Sequence, residues 1–311
     1  MVPNLESSNI SNANSQSRKQ HPENFALIIG AMKSGTTSLF DILSQHPQIC
    51  PAKIKEPDYF IKDRDTKARE DYLSLWDWKD GSHVVALESS VAYTKAPYIP
   101  DVPERINKSG LGKFRFIYML RDPLSRIESQ ARHAIFAGWG KSLDVEISED
   151  LINFSCYVMQ LDNYLKYYST DDIMLITLEE FNLTPHSTLT KICNFLEIDS
   201  KFQFTNVAEP RNSGDFFNAP PVVAHLTQGG FGQFISQKIL PVKFKKGLRN
   251  IISKLNKPKK KDSNLVRWQL NTKERELILR KLEAELKRLE SEFGVDVKAF
   301  WDIPSKYIDR G

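Results

Sequence analysis

The chain has 311 residues, of which 41% are apolar and 26% charged, with a formal net charge of +4. These are ordinary globular values for one large domain or two modest ones, and the mild positive charge suits an anionic ligand without implying nucleic acid. Three cysteines, Cys50, Cys156 and Cys193, are too few for a disulfide framework in a chain this long, and no apolar run approaches the roughly 18 to 20 residues of a membrane-spanning helix.

Residues 1–24 are polar, rich in Ser and Asn, and lack the apolar stretch of a secretory signal. They carry too little apolar surface to offset chain ordering, so a disordered leader is expected, followed by a single domain over 25–311. FALIIG (25–30) reads as a buried strand. TTSLFDILSQH (36–46) reads as a helix, with Leu39, Phe40, Ile42 and Leu43 at helical spacing and Pro47 as its stop. VVALE (84–88), FRFIYML (114–120) and IMLIT (173–177) read as further strands. PLSRIESQARHAIFA (123–137) opens with proline at a first helical position, and 155–168 and 185–196 also read as helices. This alternation predicts an α/β fold of three layers, a central parallel β-sheet flanked by helices.

The last third reads differently. Residues 205–235 carry Pro, Gly, Asn and Phe without periodicity, and an ordered loop is expected there. KFKKGLRNIISKLNKPKKK (243–261) is basic and holds no acid. One reading is a solvated, mobile insertion; the other is a cationic rim for an acidic acceptor or a peripheral contact with a membrane surface. Asn271 followed by Glu274 marks a helix start, and a helix over 271–293 is expected to end at Gly294.

GAMKSGTT (30–37) follows the first strand and opens the first helix. That order surrounds an anion with backbone amides and the positive helix end. Gly30 and Gly35 keep the spacing of the kinase loop G-x-x-x-x-G-K-[ST]. Thr36, however, stands where that loop has its lysine, and the lysine is Lys33 instead. Ser34, Thr36, Thr37 and Ser38 add hydroxyl donors. Asp122, after the strand 114–120, is the candidate Mg²⁺ ligand of a kinase, but Arg121 and Pro123 flank it. Arg121 is placed to grip an anion with its guanidinium fork, and Ser125 and Ser129 follow one helical turn apart. Two anion grips at the C-terminal ends of two strands suggest a nucleotide with phosphates at both ends of its ribose.

Together these residues resemble the sulfotransferases that use 3′-phosphoadenosine 5′-phosphosulfate (PAPS). LIIGAMKSGTTSL is similar to that family's 5′-phosphosulfate loop and RDPLSRIES to its 3′-phosphate segment. The likeness runs over about 25–200, and more weakly over FGVDVKAFWDI (293–303). The resemblance implies a P-loop-type fold. It implies that Lys33, Ser34, Gly35, Thr36, Thr37 and Ser38 hold the 5′ end, and that Arg121 and Ser129 hold the 3′-phosphate. Arg211, in EPRNSG, is either a later contact to the nucleotide or a surface loop arginine. HPQICPAKIKEPDYF (46–60) is most similar to the heparan branch, whose glutamate in K-E-x-x-[FY]-F acts as base. Here that glutamate is Glu56, which also reads as a surface carboxylate beside Lys55. The histidine of the phenol and steroid branch has no counterpart in ALESSVAYT (86–94). Heparan 3-O-sulfating enzymes have a lysine where this chain has Ser89, which leaves Glu88 as a second carboxylate of open role.

The resemblance thus implies transfer of a sulfuryl group from PAPS to a hydroxyl or amino group, giving PAP. The expected acceptor is a carbohydrate or glycolipid, with no nucleic acid partner and no metal. Lys33 would neutralise charge on the bridging oxygen and Glu56 would take the acceptor's proton, with Glu88 or His133 as alternative bases. A cytoplasmic location is expected. Two alternatives stand beside this reading: a small-molecule kinase using Mg²⁺ and ATP, and a non-catalytic nucleotide-binding module with 243–261 as its interaction surface.

Overall fold

A computed structural model describes residues 21–63, 68–136, 148–207 and 269–309. Arg211, the basic segment 243–261, residues 1–20 of the expected leader and most of the expected loop 205–235 lie outside the described residues. Asn24, assigned to the leader above, is the first residue of a strand.

Five strands form one parallel sheet in the order β2-β3-β1-β4-β5. They are β1 (Asn24–Gly30), β2 (Ile49–Pro51), β3 (Val85–Ser89), β4 (Lys113–Leu120) and β5 (Ile173–Thr177). Four of them are the apolar runs read from the sequence. β2 was missed because three residues ending on proline give no alternation to read. β1 and β4 are buried on both faces, as a parallel sheet between two helical layers requires. Phe25, Leu27 and Ile29 of β1 join Phe114, Phe116, Tyr118 and Leu120 of β4 in one core cluster, while Ala26, Ile28, Ile117 and Met119 join the other.

The helices are α1 (Thr36–Leu43), α2 (Ala68–Leu73), α3 (Val102–Lys108), α4 (Pro123–Phe136), α5 (Glu149–Asn153), α6 (Tyr157–Tyr164), α7 (Leu178–Leu183), α8 (Pro185–Phe195), α9 (Thr272–Phe293) and α10 (Val297–Phe300). α1 and α8 cover one face of the sheet, and α4, α6 and α9 the other. α5 and α7 are too short to show a period, and are marked instead by N-caps: Ser148 accepts from the Leu151 amide and Thr177 from the Glu180 amide. α9 begins with both bonds of the expected capping box, 3.0 Å from the Glu274 amide to Asn271 Oδ1 and 2.8 Å from the Asn271 amide to Glu274 Oε2. It ends at Gly294 in the left-handed conformation. Its stripe of Ile278, Leu279, Leu282, Leu286 and Leu289 is buried. The three thiols are free, with Cys50 and Cys193 buried and Cys156 half-buried.

β1 ends at Gly30, with φ +149°, where a Cβ would lie 2.1 Å from Thr94 Oγ1. That hydroxyl donates to the Ile29 carbonyl at 3.0 Å. Gly30→Ala must therefore displace a packed, bonded side chain, and is expected to lower stability by about 1–3 kcal/mol in urea unfolding.

Candidate functional site

The sheet order places β1 and β4 side by side, so the turns after both strands meet at one point. The chain crosses from one side of β1 to the other between β3 and β4, which makes this the switch point of the sheet. The first turn is held firmly: the Ala31 amide donates to the Met119 carbonyl at 2.6 Å, and the Ser34 amide to the Ala31 carbonyl at 3.1 Å. Lys33 takes φ +71° and Gly35 φ +84°. The two turns are joined directly, because Arg121 Nη1 donates to the Lys33 carbonyl at 3.0 Å. Residues from the two sequence motifs are thus parts of one surface.

That surface fits an anion. α1 has no side-chain cap and no acidic residue in its first turn, so its N-terminal amides are available to a negative ligand. The Ser34 hydroxyl is buried and lacks a hydrogen-bond partner. The Lys33 ammonium is pushed below the ordinary lysine range, first by burial and then by the positive charges of Arg121 and Arg132. Lys55 adds to this and Glu56 opposes it. A bound anion would offset the crowding of positive charge around Lys33. Arg132, which the sequence reading passed over, lies on α4 within 3.8 Å of Glu128 Oε2 and contributes to this field. Ser125 and Ser129 sit half-buried on the same helix.

Glu56 is brought to the same place. Its amide donates to the Ser89 carbonyl at 2.9 Å, docking the 55–58 loop on the end of β3. Its Oε1 pairs with Lys55 Nζ at 2.7 Å, and its charge is felt by Lys33 and by His133. Burial and then Lys33 push the His133 imidazole down, against Glu56.

Glu88 does not share this role. It is fully buried, and its carboxylate accepts from Tyr72 Oη at 2.6 Å, Tyr93 Oη at 2.6 Å and Ser90 Oγ at 2.8 Å. These three donors enclose it, which corrects its reading as an alternative base. Asp122, the candidate that a kinase reading would need, has a structural place of its own. Its Oδ1 accepts from the Ser125 amide at 2.7 Å, capping α4, which is a local reason for an aspartate before Pro123 without any metal.

The carboxylate that the sequence reading missed is Asp58. It lies in the same KEPDYF run, two residues past Glu56, and both take positive φ, +50° and +56°. Its amide donates to Ser90 Oγ at 3.2 Å, while its Oδ1 is buried without a partner. Burial, and then the charge of Glu56, push its carboxyl up to about 6, against Lys95, Ser90 and Lys55. Lys95, itself half-buried, faces both carboxylates. No signal in a single sequence separates Asp58 from a solvated loop acid.

A family model described as "Sulfotransferase domain" matches residues 24–212. The chain belongs to the sulfotransferase family. Among its relatives are the bifunctional heparan sulfate N-deacetylase/N-sulfotransferase 1 of Caenorhabditis elegans and the heparan sulfate glucosamine 3-O-sulfotransferase 5 of Mus musculus. The first is 25% identical over 195 residues, 55% of this chain and 22% of the relative; the second is 22% identical over 200 residues, 58% of this chain and 56% of the relative. The chain therefore spans between about a fifth and just over half of these relatives. A sulfotransferase from Alicyclobacillus acidocaldarius shares the fold, with a TM-score of 0.60 at 19% identity over 90% of this chain and 99% of that one. The sulfotransferase match ends near 212, so α9 and the segment after it lie beyond the matched residues.

Because Asp58 ionises less readily in the folded chain than in the unfolded one, its charge costs stability as pH rises from about 4 through 6. Asp58→Asn is expected to stabilise the chain by about 2 kcal/mol at pH 7.5 and by about half that at pH 5. Urea unfolding at the two pH values measures the difference; an equal effect at both would remove the assigned cause.

Proposed function

We propose that the protein transfers a sulfuryl group from PAPS to a hydroxyl or amino group of an acceptor and releases PAP. The observation that carries this reading is the crowding of Lys33, Lys55, Arg121 and Arg132 around the uncapped start of α1, with Glu56 as the carboxylate that answers them. A nucleotide anionic at both ends suits two joined grips better than one with phosphates at a single end. In this reading Lys33, Ser34, Gly35, Thr36, Thr37 and Ser38 hold the 5′ end, and Arg121 and Ser129 the 3′-phosphate. Arg211 is assigned to the same nucleotide.

Bound PAPS supplies the sulfuryl group; the chain's own residues do the rest. The Lys33 ammonium, the α1 amides and the Ser34 hydroxyl counter negative charge at the 5′ end, in a site already short of anions. Glu56 Oε1 is held by Lys55, so Oε2 is the atom that takes the acceptor's proton. Glu56 is close enough for its charge to act on the Lys33 ammonium, which puts the two ends of the transfer in one field. We infer a carbohydrate or glycolipid acceptor, supported by relatives whose names specify heparan sulfate. The KEPDYF loop and Lys95 form the acceptor side.

Calorimetry with PAP should show binding that Lys33→Ala and Arg121→Ala each weaken by about tenfold or more. Unchanged affinity in both variants would remove the site assignment. Glu56→Gln is expected to lower turnover by about 10²–10⁴-fold and to leave PAP affinity within about twofold. A fully active Glu56→Gln enzyme moves the base elsewhere, to Asp58 or His133. Mass spectrometry of reactions containing PAPS and a panel of saccharide, glycolipid and small-alcohol acceptors reads the transfer itself. PAP binding without transfer to any of them favours a nucleotide-binding module.

A further inference from the structure

The peptide unit between Arg121 and Asp122 is gripped at both of its polar atoms. Its carbonyl, that of Arg121, accepts from Tyr157 Oη at 2.7 Å. Its N–H, that of Asp122, donates to Glu179 Oε1 at 3.1 Å. A peptide held at both its oxygen and its nitrogen cannot rotate about its flanking bonds without losing one of the two. Tyr157 opens α6 and Glu179 lies in the first turn of α7, so the two holds come from separate elements. One residue touches both. Trp301 Nε1 donates to Glu179 Oε2 at 3.0 Å, and its ring lies 6.0 Å from that of Tyr157, centroid to centroid.

Trp301 is buried and belongs to the C-terminal segment, beyond residues 24–212 that the family model matches. That segment holds the same region at further points. Glu285 of α9 accepts from the Val158 and Met159 amides at 2.8 and 3.1 Å, capping α6 just after Tyr157. The Leu270 amide and Arg275 Nη1 both donate to Glu128 Oε1 on α4, each at 3.2 Å.

We propose that Tyr157, Glu179 and Trp301 are positioning residues: they clamp the Arg121–Asp122 peptide, and through it the C-terminal segment sets the direction in which the Arg121 guanidinium meets the nucleotide. The inference rests on the reading of Arg121 as a nucleotide grip. The clamp itself touches no reacting atom. Its effect is to hold the Arg121 backbone so that one guanidinium nitrogen reaches the Lys33 carbonyl while the fork stays aimed at a bound anion.

The test is a double-mutant cycle read by PAP calorimetry on the full chain, with urea unfolding of every variant. Tyr157→Phe keeps the ring and removes one donor; Trp301→Phe keeps an aromatic ring, though a smaller one, and removes the other; Glu179→Gln keeps the shape and removes the charge. Each is expected to weaken PAP binding by roughly three- to tenfold. In an Arg121→Ala background Tyr157→Phe should have no further effect, because the residue it acts through is gone. Arg288→Ala, which breaks the pair with Asp162 elsewhere on α9 and α6, should lower stability and leave PAP affinity unchanged. The proposal is overturned if the clamp variants bind PAP like the wild type. It is also overturned if Tyr157→Phe loses the same factor with and without Arg121, or if Arg288→Ala loses as much affinity as they do. Should one variant fail to fold, the remaining two carry the cycle. A wild-type chain that does not bind PAP removes the nucleotide reading and the clamp with it. PAP binding that Arg121→Ala weakens and the clamp variants do not removes the clamp alone.

Discussion

The hydrogen bond from Arg121 Nη1 to the Lys33 carbonyl joins the turns after two neighbouring strands, and the site depends on it. It fixes an arginine against the backbone of a lysine, an arrangement that mutual repulsion would disperse if the scaffold did not impose it. β1 and β4 are rigid, buried on both faces and paired over most of their length, so their ends cannot drift apart. Burial first, and then the same repulsion, explain why the lysine holds its proton less tightly than usual. A bound polyanion would relieve that cost, so ligand affinity and the crowding of charge at this turn have one origin.

Charge is distributed unevenly over this surface, and the unevenness divides it by task. The α1 end carries the cations. The KEPDYF loop carries Glu56 and Asp58, two carboxylates in left-handed backbone. Lys55 and Lys95 lie among the latter and keep the loop from being a pure acid patch. Such a division suits a reaction in which a negative group moves from one side while a proton leaves on the other. The two sides are tied to different strands, β1 with β4 and β3, so each could change sequence without unseating its neighbour.

Much of this was legible in the sequence. Strands buried on both faces write themselves as continuous apolar runs, which is why FALIIG and FRFIYML were plain and the three-residue β2 was not. GAMKSGTT and RDPLSRIES could be read because their chemistry is local: glycines at a turn, a lysine inside it, an arginine at a strand end. What failed was side-chain environment. Glu88 and Glu56 are both glutamates next to serines or lysines in the chain; only the fold shows that three hydroxyls seal one while the other stands beside Lys33. Asp122 stood as the candidate a kinase would need because a helix cap and a ligand are the same carboxylate until its neighbours are known. Lys95 and Glu179 gave no signal because their partners are distant in sequence, and Arg132 gave none because the group it acts on, Lys33, is equally distant.

The enclosure of Glu88 has a consequence beyond its exclusion from the chemistry. Around it lies a cluster of rings, among them Phe25, Tyr59, Phe60, Tyr72 and Trp76, in contact by tilted and edge-on geometries. Rings of similar size fill space almost equally well in several permutations, and dispersion alone distinguishes them weakly. Two phenols that must both end on one carboxylate admit a single permutation. Glu88 thus contributes conformational uniqueness more than cohesion. Without it this half of the core would keep its volume and exchange between packings, seen as broadened aromatic resonances over an unchanged sheet.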